Sequence, residues 1–131
     1  MEFLKKRTFF ISGHRDITEE EFKKNYVPAI RKAYVNYDAN FIVGDYVGAD
    51  IIAQNYLLDD IKINPRDITV CHMGDKPMNV NEKVINLIGG FKTDEERDSF
   101  MTNHSDEDIA FIRYDKLSSG TAQNIIRRAL M

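Results

Sequence analysis

Four short apolar runs, each closed by a glycine or by polar residues, punctuate this chain: RTFFIS (7–12), NFIVG (40–44), DITVCH (67–72) and EDIAFIR (107–113). Runs this continuous are expected of strands buried on both faces. Segments of helical period lie between them: ITEEEFKKNYVPAIRKAYVNY (17–37), GADIIAQNYLLDD (48–60) and TDEERDSFMTNHS (93–105). A last helix starts at Ser118 or Ser119. Strict alternation of strand and helix predicts parallel strands joined by crossover helices on both faces. The expected class is therefore α/β, a Rossmann-like three-layer α/β/α sandwich. The 131 residues supply one domain, 1–131, and not two.

The local signals refine this outline. Thr18 with Glu21 and Thr93 with Glu96 have capping-box spacing. Phe22, Tyr26, Ile30, Ala33 and Tyr34 recur at helical intervals, but Pro28 interrupts them. A kink near 25–27, or two short helices in line, is expected there. HMGDKPMNVNEK (72–83) has the Gly, Pro and Asn content of a loop. VINLIGGF (84–91) reads either as a short helix ended by Gly89 and Gly90 or as a buried turn.

Composition narrows the function. A net charge of -3 argues against a broad basic face for nucleic acid. Cys71 is the sole cysteine, so no intramolecular disulfide forms. His14, His72 and His104 lack metal-ligand spacing, and no metal or cofactor is expected. No apolar stretch approaches the ~20 residues of a membrane span, and Thr8–Ser12 is too short for a signal peptide. The chain is expected to be soluble and cytoplasmic, without a membrane partner.

Ligands of open parallel sheets bind outside the carboxyl ends of the strands. The segments that follow the four runs are SGHRDIT, VGDYVGAD, HMGDKP and KLSSGT. Three of the four place glycine beside polar residues just before a helix. Glycine lets backbone N–H groups approach a ligand, and a helix start adds free donors and partial positive charge. Each residue also has a plain structural explanation. Gly13 can turn the chain off its strand, His14 and Arg15 can be a solvated pair, Gly48 can serve close packing, and Ser118 or Ser119 can be a simple N-cap. Their coincidence on one rim favours a ligand site. Tyr46 lies on that rim and is placed to stack on a base or ring. No P-loop, dinucleotide fingerprint or nucleophile elbow is present.

Taken together, ISGHRDIT, VGDYVGAD, ERDSFMTNHSDEDIAF and SSGTAQNIIRR resemble the SLOG superfamily of Rossmann-like nucleotide-binding proteins, which includes the Lonely Guy phosphoribohydrolases and the DNA-processing protein DprA. The resemblance runs from about Arg7 to Arg128 and is strongest to the small single-domain branch of bacteria and phages. It implies a core strand order of 3-2-1-4 for the four runs, and a homodimer. It implies one glycine loop at Gly13, His14 and Arg15, a second at Gly44, Asp45, Gly48, Ala49 and Asp50, and a phosphate-binding helix start at Ser119, Gly120 and Thr121. The hydrolases carry a glutamate three residues beyond that threonine; Asn124 stands there in this chain. Arg97 is the counterpart of their helix arginine. Asn124 cannot act as a carboxylate, so Asp98, Asp45 or Asp50 would have to replace it.

Three functions follow as expectations. The first is binding of a nucleotide or nucleotide-derived ligand, with phosphate at the start of the last helix and Arg15 and Arg97 bonded to its oxygens. The second is hydrolysis of a nucleotide N-glycosidic bond by Arg97 with Asp98, Asp45 or Asp50. The third is a protein-interaction module presenting Ile125, Ile126, Ala129 and Leu130.

Overall fold

The computed structural model describes residues 6–131. Five strands form one parallel sheet: β1 (Lys6–Ser12), β2 (Asp38–Val43), β3 (Ile68–Met73), β4 (Leu87–Phe91) and β5 (Glu107–Ala110). Their order is β4-β3-β2-β1-β5. The four runs read from sequence are β1, β2, β3 and β5, in the expected relative order. The correction is the fifth strand. LIGGF is neither a helix end nor a buried turn; it pairs with β3 and extends that edge of the sheet.

The helices are α1 (Glu19–Asn25), α2 (Val27–Asn36), α3 (Ala49–Asn55), α4 (Asp94–Asn103) and α5 (Gly120–Ala129). Thr18 and Glu21 close a reciprocal capping box on α1. Pro28 resolves the interruption: it sits in the first turn of α2, where its missing N–H costs nothing. A π-helical turn, Tyr56–Ile61, prolongs α3.

Alternation along the strands builds two cores. Phe9, Ile11, Phe41 and Val43 face α1, α2 and α3, with Phe22, Tyr26, Ile30 and Ala53 filling that layer. Phe10, Ile42 and Cys71 point to the other face, against Met101 of α4 and Phe91. Cys71 is a packed core thiol, pushed up to about 12 by burial. Tyr26 is fully buried, stacks on Phe22 at 5.1 Å, donates to Ser12 O at 2.7 Å and accepts from Phe111 N at 3.0 Å. One phenol thus ties α1 to the ends of β1 and to the segment after β5. Among the described residues, no helix is long and apolar enough to cross a membrane.

Candidate functional site

The strand order fixes where a crevice must open. From β1 the chain winds outward through β2, β3 and β4, then returns to place β5 on the other side of β1. The connections leaving β1 and β5 therefore diverge at their carboxyl ends, the position where open α/β sheets bind ligands. A cleft of about 450 Å³ lies there, inside the ~300–1,000 Å³ range of ligand pockets. Gly13, Gly44 and Gly120, far apart in sequence, all line it.

One end of the cleft is the start of α5. Ser119 is the N-cap, its Oγ accepting from Ala122 N at 3.2 Å. The N–H groups of Gly120 and Thr121 have no acceptor among the described residues. A Cβ on Gly120 would meet nothing within 4 Å, so packing does not demand glycine there, although glycine costs a helix interior up to about 1 kcal/mol against alanine. Arg15 and Lys116 also line the cleft, and neither has a carboxylate partner among the described residues; Arg15 lies against the Tyr46 ring. Asp16 also lines it, but Arg113 Nη1 holds its carboxylate at 2.8 Å. Ser12, at the tip of β1, has a buried Oγ with no hydrogen-bond partner. Native interiors satisfy the large majority of such groups.

Another wall is one face of α4, which packs beside α5: Asp94, Arg97, Asp98 and Met101, at the spacing of a single helical stripe. Arg97 is 3% exposed. Its Nη1 donates to Asp45 Oδ1 at 3.4 Å, and its Nε and Nη2 both reach Asp98 Oδ1, at 3.3 and 3.2 Å. Burial pulls the guanidinium down, but Asp98 and Asp50 outweigh it and hold its pKa above the ordinary value. Asp98 is pushed up by burial, with Arg97 opposing. Asp50 is 8% exposed and raised to about 7 by burial, against the opposing pull of its bond from Tyr46 N. Asp45 and Asp98 bond the guanidinium directly, whereas Asp50, buried without a direct bond to it, is the carboxyl raised to about 7.

The glycines do different work. A Cβ at Gly44 would lie 2.5 Å from Asp50 Oδ2, so glycine there admits the carboxyl. A Cβ at Gly13 would strike the Tyr26 hydroxyl and Ala49; Gly13 lines the cleft, yet its packing requires glycine regardless of any ligand. Gly48 does not line the cleft. With φ of 85° it lets the loop after β2 press on the carbonyls of His14 and Arg15. Ser118 also lies outside the cleft, in the turn before α5.

Asp45 and Tyr46 depart from their expected places. Asp45 is 1% exposed and does not line the cleft. Besides holding Arg97, it accepts Met78 N at 2.6 Å, tying the β3–β4 loop to the site. Tyr46 lines the cleft, but two guanidinium groups already lie against its ring, Arg15 at 4.1 Å and Arg97 at 4.3 Å. Its hydroxyl donates to Asp94 Oδ1. Tyr46 orients arginines and is not a free platform for a base. His14 accepts Arg113 N through Nε2 at 3.1 Å, and burial, aided by Arg113, lowers its pKa, so it is neutral.

Asn124 is 3% exposed and lines the cleft, its Oδ1 accepting from Arg127 Nη1 at 2.7 Å. Sequence reasoning missed Ser12, Asp94, Met101 and Lys116. A serine that closes the apolar run Phe9–Ile11 on the same strand face as Phe10 is a readable signal for Ser12; Lys116 offers none. The arrangement gathers backbone donors, cations and carboxyl oxygens around one cleft, including Asp50, a group raised to about 7 that can give or take a proton near neutrality. Among the described residues, no group of three or more His, Cys, Asp or Glu side chains is placed to hold a metal ion. No protein-family model, curated protein or solved structure matches this chain.

Proposed function

We propose that this protein binds a nucleotide or nucleotide-derived phosphate in the cleft between the ends of β1 and β5, as a single-domain member of the SLOG superfamily. The observation that carries the reading is Gly120. It is the first residue of α5, lines the cleft, and has no packing neighbour that demands a glycine. Its N–H and that of Thr121 await an acceptor. A phosphate seated there gains both donors and the positive end of the helix dipole, with Arg15 and Lys116, which line the same cleft without carboxylate partners, adding positive charge. Titration of adenosine monophosphate (AMP) followed by amide resonances tests this. Gly120 and Thr121 should shift first, ahead of β4 at the far edge of the sheet; unmoved amides at both would refute it.

One observation favours a second reading, hydrolysis of a nucleotide N-glycosidic bond. Asp50 and Asp98 both line the cleft with raised carboxyls, and such chemistry uses a carboxyl that exchanges a proton near neutrality. Release of free base from nucleoside monophosphates separates hydrolysis from binding alone. The setting we propose is cytoplasmic, and the working form a homodimer. What supports the dimer is α5, whose Thr121 and Asn124 are buried while Ile125, Ile126 and Leu130 are exposed. An isoleucine face left in water gains by association. Sedimentation at micromolar concentration should give a dimer, and Ile126→Asp a monomer; a monomeric wild type would refute it.

A further inference from the structure

The two edges of the sheet are built differently. β5 closes one edge and carries Glu107 and Asp108, which are bonded to Arg7 and Arg128. Charges on an edge strand discourage pairing with another chain. β4 closes the other edge with LIGGF, and no charged residue occurs from Val84 to Phe91. Leu87 and Ile88 are 45% and 37% exposed, and Gly89 and Gly90 are exposed beside them. The hydrogen bonds to β3 show which backbone groups face outward. Val70 N donates to Asn86 O at 3.0 Å, and Gly90 N donates to Gly74 O at 2.7 Å. In a trans peptide the C=O and N–H point opposite ways, so Leu87 N–H and Gly89 C=O are turned away from β3. Alternation along the strand turns Leu87 C=O and Gly89 N–H outward as well. No strand lies beyond these four groups among the described residues.

We propose that β4 pairs with the β4 of a second copy of this chain, antiparallel about a two-fold axis at Ile88, so that two sheets become one. The strand is self-complementary in a single register. With Ile88 opposite its counterpart, Leu87 of each copy exchanges both backbone bonds with Gly89 of the other, and all four outward groups of each copy are satisfied. A register centred on Leu87 or on Gly89 leaves one of these residues without a partner inside the strand. In the satisfied register Ile88 meets Ile88 on one face, an apolar cross-strand pair. On the other face Leu87 lies opposite Gly89, where a Cβ would strike the His72 ring. The leucine therefore packs toward an imidazole, and no charged residue is brought into the seam. A strand of another protein would gain the same backbone bonds, but only a second copy sets Leu87 against Gly89 twice. The proposal is independent of the phosphate reading and of the α5 face.

A strand pair this short buries less than the ~1,200 Å² of standard interfaces, so it should populate above the micromolar range that tests the α5 contact. Sedimentation at about 0.5 mM, where weak contacts form, is carried out in Ile126→Asp to remove the α5 face. That variant should be a dimer. Adding Ile88→Lys sets like charges opposite each other at an exposed position; it should return the protein to a monomer at an unchanged melting temperature. Single cysteines test the register. Cys71 is buried, so an introduced surface thiol reports alone. Under mild oxidation Ile88→Cys should cross-link two copies about tenfold faster than Leu87→Cys, because only position 88 faces itself at disulfide distance. Leu87 is the more exposed of the two, so random collision predicts the reverse. A monomer before Ile88→Lys is added, a dimer after it, or equal cross-linking at the two positions overturns the proposal.

Discussion

Asp50 should make the protein less stable as pH rises through neutrality. Its carboxyl is enclosed by Gly44, the Tyr46 amide and the Arg97 cluster, and burial raises it from an ordinary 3.8 to about 7. In the unfolded chain the group ionises near its ordinary value. Below about pH 4 both states hold the proton and nothing is lost. Between about pH 4 and pH 7 the unfolded chain releases it and the folded chain does not, so stability falls with pH. Above about pH 7 both are ionised and the penalty is complete. At about 1.4 kcal/mol for each unit of separation, the full loss is on the order of 4 kcal/mol, shared with neighbouring Asp98. The perturbation is Asp50→Asn, which still offers an oxygen to Tyr46 N. Urea unfolding of both proteins from pH 4 to pH 8 is the assay. The wild type should lose stability relative to the variant by about 1.4 kcal/mol per pH unit in the middle of the window and level off above it. Carboxylates with lowered pKa, such as Glu21, cancel in the difference. Parallel pH profiles would refute the reasoning.

Three further outcomes follow from the packing. Gly44→Ala puts a Cβ 2.5 Å from Asp50 Oδ2 and should cost about 1–3 kcal/mol in chemical denaturation. Asp45→Ala strips Arg97 of one partner and Met78 N of its acceptor; stability should drop by about 3 kcal/mol, with faster hydrogen exchange at Met78. Arg113 grips both oxygens of Glu21, at 2.8 and 2.7 Å, and, with the Thr18 N–H, draws its carboxyl down to about 2; in Arg113→Ala, NMR titration should show Glu21 rising toward the ordinary ~4.3 but staying below it, because Thr18 N still donates to it.

The sequence disclosed the buried strands because each is a continuous apolar run flanked by helical period, a local property. It hid β4 for a tertiary reason. Gly89 and Gly90 look like a terminator, but a Cβ on Gly89 would lie 2.1 Å from the His72 ring on β3. That glycine exists so that an edge strand can lie over a histidine, and the strand's exposed residues carry no buried-strand pattern. The site divides the same way. Glycines beside helix starts were legible because backbone geometry limits which residues suit such turns. The commitments of the charged groups were not. Arg97 and Asp45 are 52 positions apart, and which carboxyl keeps its proton depends on burial that only the packed fold supplies. Tyr46 looked like a platform for a base because the two arginines that lie against it come from β1's loop and from α4.

The central claim is that α5 begins as it does in order to hold a phosphate, and Gly120→Asp tests it most directly. The new side chain enters open space, and an acidic residue in the first turn gains about 0.3–1 kcal/mol from the helix dipole, so the melting temperature should hold or rise slightly. A carboxylate next to the phosphate position should cost at least ~2 kcal/mol, roughly thirtyfold in affinity. Calorimetric titration of AMP into the two proteins should show binding to the wild type and its loss in the variant at unchanged stability; equal affinity in both would reduce Ser119, Gly120 and Thr121 to an ordinary helix cap.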